Sequence, residues 1–251
     1  MHPILMYHGV ETPAPHGEPG YTVAEQAFRS HLERIDALRI PIVSLPQLLA
    51  GGEGVVLSFD DGEETVFTRA APLIAHYGGV GVVYLTSDWI GTPGYLSVGQ
   101  VRQLAGLAWT IGAHGRTHRY LDDLSDAELR DELEGARATI EDIVGGPVVD
   151  LALPGGRGGE RVFRAARAAG YTSIATSIPG LNHPLRPERL ERFAVRANDD
   201  YLRVGRLVAG HKATVAAEIA RASILWGAKR LLGNKGYEYA RSVAFRLFGR
   251  K

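Results

Sequence analysis

Val55-Val56-Leu57-Ser58-Phe59 runs without interruption into Asp60-Asp61-Gly62. A short, mainly apolar run closed by two carboxylates and a glycine reads as a buried strand that hands polar groups to its C-terminal end. The same grammar recurs elsewhere in the chain. Ile4-Leu5-Met6-Tyr7 leads into His8, and Thr110-Ile111-Gly112-Ala113 leads into His114-Gly115-Arg116-Thr117-His118. Leu151-Ala152-Leu153 leads into Pro154-Gly155-Gly156-Arg157. Strands are predicted over 4–7, 42–45, 55–59, 80–85, 110–113, 149–153, 172–175 and 193–195, with helices over 24–38, 64–76, 97–107, 126–143 and 160–169. Ser125 followed by Glu128 is a capping box that opens the fourth of these helices. Continuous Val/Ile/Leu strands alternating with helices make a parallel sheet covered by helices. Seven or eight such units make the class α/β and the architecture a TIM-like (β/α) barrel, complete or incomplete. A doubly wound open sheet satisfies the same periodicity and stays open as the alternative.

The chain has 251 residues, 45% of them apolar, which suffices for one barrel of this size. Its formal net charge is zero, so no global field argues for nucleic acid. The charge is uneven, however. From Arg221 onward eight Lys or Arg face a single acid, Glu238. The expected organisation is a catalytic domain over 1–205 and a basic helical extension over 206–251, with helices at 216–232 and 237–248. Cysteine is absent, which removes disulfides, thiolate nucleophiles and cysteine-bound metals. The first ten residues lack a basic segment followed by a long apolar one, so no signal peptide is read, and no window of about 18 apolar residues spans a membrane. The expected location is cytoplasmic, or peripheral on the inner membrane face.

Adjacent carboxylates at a strand end repel each other unless something positive lies between them. A divalent metal resolves that conflict. Asp61, His114 and His118 offer one oxygen and two imidazole nitrogens, a set suited to zinc, iron, cobalt or nickel. Three protein ligands leave room for water, whose pKa the ion lowers towards neutrality. Asp60, beside the ion, then serves as general base. Taken singly, Asp-Asp-Gly is also an ordinary turn and His-x-x-x-His an ordinary helix-surface pair; their joint placement at two strand ends favours the metal.

Ser58-Phe59-Asp60-Asp61-Gly62 resembles the Thr/Ser-Phe-Asp-Asp-Gly motif of the polysaccharide deacetylases, the NodB-homology or carbohydrate esterase family 4 enzymes. His114-Gly115-Arg116-Thr117-His118 resembles their His-Ser/Thr-x-x-His motif, with Gly115 where a hydroxyl residue is usual. The resemblance spans roughly residues 1 to 200. It implies a (β/α) barrel with Asp60 as base and Asp61, His114 and His118 as ligands of a divalent metal, zinc foremost, with cobalt, nickel, iron or manganese as alternatives. It further implies an oxyanion donor among the backbone N–H groups of Gly155 or Gly156, where Pro154-Gly155-Gly156-Arg157 replaces the usual Arg-x-Pro-Tyr. Arg157 is expected to orient Asp60. Met6-Tyr7-His8 resembles the N-terminal Met-Tyr-His of the poly-N-acetylglucosamine deacetylase branch, which makes His8 the expected general acid. Arg192 resembles a late arginine of that branch, touching substrate or supporting the site.

The implied substrate is an N-acetylated sugar of a bacterial exopolysaccharide or cell-envelope glycan. Two rivals stay open: a metal-dependent amidohydrolase acting on a small non-sugar amide, and a non-catalytic carbohydrate-binding relative. Trp89 and Tyr95 are candidates for stacking on a sugar ring. His2, His16, His31, His76, His183 and His211 read as solvated or helix-surface residues, with His183 in a loop able to approach the site. The basic tail, with Ile224, Leu225 and Trp226 among its apolar residues, is read either as lying on an anionic membrane surface or as packed on the barrel with a solvated face.

Overall fold

The computed structural model describes residues 1–17 and 19–224. Most of the basic tail, including the predicted helix over 237–248 and the end of that over 216–232, lies outside the described residues, and so does the greater part of the membrane-facing surface proposed for it. Among the described residues no helix is long and apolar enough to cross a membrane.

Among the described residues seven parallel strands form one sheet: β1 (Ile4–Tyr7), β2 (Val56–Phe59), β3 (Val82–Leu85), β4 (Thr110–Ala113), β5 (Asp150–Ala152), β6 (Ser173–Ala175) and β7 (Phe193–Ala194). They pair in the order β6-β5-β4-β3-β2-β1-β7. Just before β7 the backbone of Leu190 exchanges hydrogen bonds with the β6 side, its N–H donating to Ile174 O at 2.7 Å and its carbonyl accepting from Thr176 N–H at 2.9 Å. Three residues later Phe193 pairs with Leu5 of β1. One short segment thus reaches both edges of the sheet, and the fold is the expected (β/α) barrel in its incomplete, seven-stranded form.

Alternation along the strands sorts two cores. Leu5, Tyr7, Leu57, Phe59, Val83, Leu85, Ile111, Ala113, Leu151, Ile174 and Phe193 face outward and pack beneath the helices. Ile4, Val56, Val82, Tyr84, Ala152, Ala175 and Leu190 fill the interior. The covering helices are α1 (Glu25–Ala37), α2 (Leu45–Leu49), α3 (Ala71–His76), α4 (Val98–Gly106), α5 (Asp126–Arg130), α6 (Ala136–Val144), α7 (Glu160–Ala168) and α8 (Tyr201–Val208). Residues 212–224 are also helical. α8 runs across position 205 and packs on α1. Glu218, from the following helical stretch, pairs with Arg203 at 2.8 Å and Arg196 at 3.2 Å.

Three sequence expectations are corrected. Residues 42–45 do not form a strand. Only the single bridge from Ile42 to Val55 remains, because Ser44 accepts from Gln47 N–H and opens α2 with a full capping box. Leu45 and Leu48 of α2 are buried against Ile4, Val56 and Val82 at the strand starts, so this helix closes the N-terminal end of the barrel. Burying each leucine is worth about 2 kcal/mol, which holds a helix too short to persist by propensity. Second, the helices expected over 64–76 and 126–143 each contain a widened, π-type turn, at Val66–Ala70 and Asp131–Gly135. In the first, Ala71 N–H reaches back five residues to Val66 O. Third, His31 is fully buried rather than solvated. It occupies the apolar stripe of α1 with Phe28, Leu32 and Ile35, accepts the Tyr7 hydroxyl at Nδ1 (3.2 Å) and donates from Nε2 to Asp199 O (2.9 Å). Burial holds its pKa below the usual histidine value, which keeps the ring neutral.

Candidate metal centre

The strand alternation that fills the barrel also builds the site. In β2, Val56 and Ser58 face the axis, and the next residue in phase is Asp60. The same count from Ile4 and Met6 reaches His8, and from Gly112 it reaches His114. The ladders continue one step past the strands to level these residues. Asp60 N–H donates to Tyr7 O at 3.0 Å and His114 N–H to Leu85 O at 2.7 Å. Three side chains from three strands therefore converge on the C-terminal mouth, where barrels of this kind concentrate function.

Asp61, His114 and His118 form a compact three-ligand group. Asp61 Oδ1 lies 3.4 Å from His114 Nε2 and 3.3 Å from His118 Nε2. Ligands about 2.1 Å from a tetrahedral ion stand roughly 3.4 Å apart, so these spacings fit a zinc-sized ion. Two further observations support the fit. Asp61 Oδ1 is buried without a hydrogen-bond partner. The Nδ1–H of His114 is committed to Ala152 O at 2.9 Å, which turns the lone pair of Nε2 toward the cluster. Burial pulls the pKa of His114 down to about 4, against the attraction of Asp60, so the ring is neutral and able to ligate. Burial alone would raise Asp61, but the imidazoles of His118, His8 and His114 outweigh it and hold the carboxyl well below the usual range. Asp61 and His118 both sit at positive φ, 71° and 64°, a backbone state that costs non-glycine residues energy and that clusters at functional sites.

Asp60 is gripped by Arg192. Nη1 donates to Oδ1 at 2.6 Å and Nη2 to Oδ2 at 2.8 Å, with both residues buried. The arginine is fixed in turn by Nε to Thr176 O at 2.8 Å and Nη1 to Ser58 Oγ at 3.2 Å. Burial works to raise the Asp60 carboxyl, yet Arg192 and His114 prevail and keep it ionised. The guanidinium of Arg157, expected to orient Asp60, lies instead over the Tyr120 ring at 3.8 Å. His8 is close enough to depress both Asp60 and Asp61; its ring packs on Tyr21 at 4.9 Å and its buried Nδ1 has no hydrogen-bond partner.

Gly155 and Gly156 follow β5 at φ 62° and 67°. A Cβ at Gly155 would meet the Tyr120 ring at 2.5 Å. The N–H of Gly156 already donates to Leu153 O at 2.7 Å. Trp89 is half-buried, packing on His118 (5.1 Å), Tyr95 (4.9 Å) and the exposed ring of His16 (5.0 Å). The loop of His183 is tied at Asn182 to His2 O, before β1, which places it away from the mouth.

Two acids at the site gave no sequence signal. Glu63 is buried, accepts Ala14 N–H at 3.3 Å and lies against Gly9 and Gly17, where any Cβ would collide with its carboxylate. Burial, aided by the Asp61 charge, pushes it up to about 7. Glu132, in the widened turn between α5 and α6, is buried beneath the loop that carries His118. Glu132 falls inside the helix predicted over 126–143 and reads as an ordinary polar-face residue, whereas Glu63 falls between Asp60-Asp61-Gly62 and the helix predicted from 64.

A polysaccharide deacetylase family model matches residues 50–174. Over those residues the chain carries a polysaccharide deacetylase domain. It is 22% identical over 186 residues, 71% of this chain, to YxkH of Bacillus subtilis, a protein named as a polysaccharide deacetylase. It is 26% identical over 124 residues, 49% of this chain, to a peptidoglycan-N-acetylglucosamine deacetylase of Bacillus cereus. The chain spans 65% and 56% of the lengths of these two relatives. A polysaccharide deacetylase structure from Bacillus cereus shares the fold with a TM-score of 0.73 at 18% identity, covering 82% of this chain and 68% of that one. IcaB from Ammonifex degensii shares it at 0.70 and 19% identity, covering 82% and 96%.

Proposed function

We propose that this protein is a metal-dependent N-deacetylase of N-acetylated sugars in a bacterial exopolysaccharide or cell-envelope glycan. The observation that carries the reading is the ionised, Arg192-clamped Asp60 set beside the Asp61–His114–His118 group. N-acetylglucosamine, named for the Bacillus cereus relative, is the sugar we assign.

Asp61, His114 and His118 would hold a divalent ion, zinc by the chemistry of the donors. When bound, that ion polarises the acetamide carbonyl and sharpens water as a nucleophile near neutral pH. Asp60 takes the proton from the attacking water as the new carbon–oxygen bond forms, and Arg192 keeps it ionised for that role. His8 gives a proton to the sugar nitrogen as the carbon–nitrogen bond breaks, so acetate and a free amine leave. Gly155 is the backbone donor we assign to the developing oxyanion, since the N–H of Gly156 is already engaged.

Acetate release from N-acetylglucosamine oligomers, with Asp60→Asn in parallel, tests the reading. Acetate from the wild type and none from the variant is the expected result. No acetate from any oligomer by protein with metal bound would overturn it.

A further inference from the structure

We infer that Glu132 is the positioning residue that locks His118 into its ligating orientation; the inference rests on the metal reading of the Asp61–His114–His118 group. Gly115 has no side chain with which to brace the loop from His114 to His118. The bracing comes instead from the widened turn at Asp131–Gly135. Glu132 Oε2 accepts two consecutive backbone donors, Arg116 N–H at 2.7 Å and Thr117 N–H at 3.0 Å. Its Oε1 accepts the Thr117 hydroxyl. The loop's outward carbonyls are also used: Gly115 O accepts Ser87 N–H at 3.2 Å and Arg116 O accepts Asp88 N–H at 3.0 Å.

Glu132 is the buried member of this set, and a buried carboxylate receiving three donors is both strong and intolerant of loss. Its approach depends on Gly115, which sits at φ 76°; a Cβ there would stand 3.0 Å from Oε2 and 3.4 Å from Pro154. The next residue but one after the clamped Arg116 is His118, held at φ 64°. A non-glycine residue stays in that region only when its surroundings over-determine it. Fixing the N–H groups of the two residues before it supplies that constraint, so Glu132 sets where Nε2 of His118 points without touching the ion.

The test is calorimetric titration of metal-stripped protein with Zn²⁺, with melting followed on the same samples. Glu132→Ala is expected to weaken zinc binding about 10- to 100-fold, the usual effect of losing a group that orients a ligand. Glu132→Gln keeps one acceptor oxygen for the two N–H groups, while the Thr117 hydroxyl reverses to accept, so it should restore most of the affinity. Wild-type affinity in a folded Glu132→Ala protein would overturn the inference, and so would a Glu132→Gln protein as weak as the alanine variant. Should Glu132→Ala not fold, Glu132→Asp decides, because the shorter acid withdraws the carboxylate from both N–H groups: weaker binding supports the role, and unchanged binding refutes it. A wild type that takes up no zinc would bring down the metal reading itself, whereas loss of binding in His118→Ala alone, with Glu132→Ala intact, would bring down only the role of Glu132.

Discussion

At the scale of single residues, the pair Asp60–Arg192 joins stability to chemistry. Both side chains are buried, and each satisfies the other's charge through two hydrogen bonds. Arg192→Met would leave Asp60 charged and alone in the interior, at a cost of about 3 to 5 kcal/mol in urea unfolding. Without the guanidinium the carboxyl is easier to protonate, and acetate release would fall with it. Arg192→Lys keeps the charge and loses the fork, so stability should recover further than activity. Glu63 makes the opposite kind of prediction. Its folded pKa, about 7, lies above that of an unfolded glutamate, so the metal-stripped protein loses stability as pH rises from about 4.5 through 7. Glu63→Gln should be more stable than wild type at pH 8, by on the order of 2 to 3 kcal/mol, with the gap closing near pH 4. Denaturant unfolding at the two pH values reads this directly, and parallel pH profiles for the two proteins would refute it.

At the scale of elements, α2 shows local and tertiary signals acting together. Ser44→Ala removes the cap and should cost about 1 kcal/mol, while Leu48→Ala opens the closed end of the barrel and should cost about 2 to 5 kcal/mol. Melting temperatures compare the two, and equal shifts would argue against the barrel plug as the main anchor. The same element shows where sequence reading stops. Ile42-Val43 looks like strand, but Ser44 with Gln47 is a helix start, and the cap decides. The strands that carry the site were legible because alternation and the polar residue after each run are local properties. Arg192 was legible as a residue but not as the partner of Asp60. It approaches Asp60 from just before β7, 132 positions away, and nothing local encodes that encounter. Glu132 was hidden for a related reason: an acid in a helical pattern reads as solvated, and only the curl of the loop at Gly115 buries it. The two widened turns follow the Asp60-Asp61 and His114–His118 segments, and no periodicity rule marks them.

At the scale of the molecule, three ligands from two loops tie distant parts of the barrel to one point. Zinc at about 1,000 times its Kd should stabilise the fold by about 4 kcal/mol, and chelation should reverse the gain. Thermal melts with and without chelator measure this, and His118→Ala should show little of it. The barrel interior has its own constraint at Gly112, where a Cβ would stand 2.5 Å from the Tyr84 ring and 2.9 Å from Asp150 O.

The segment from Leu190 to Phe193 gives the chain a biosynthetic order as well as a shape. It is made late and pairs with the first strand, so the sheet gains its last neighbour only after almost the whole barrel has left the ribosome. Arg192 travels on that segment. Until it arrives, Asp60 and Asp61 are neighbouring acids without a counter-ion, and the nascent chain carries every proposed ligand yet no clamped base. Closure of the sheet and the clamp on Asp60 therefore depend on the same four residues.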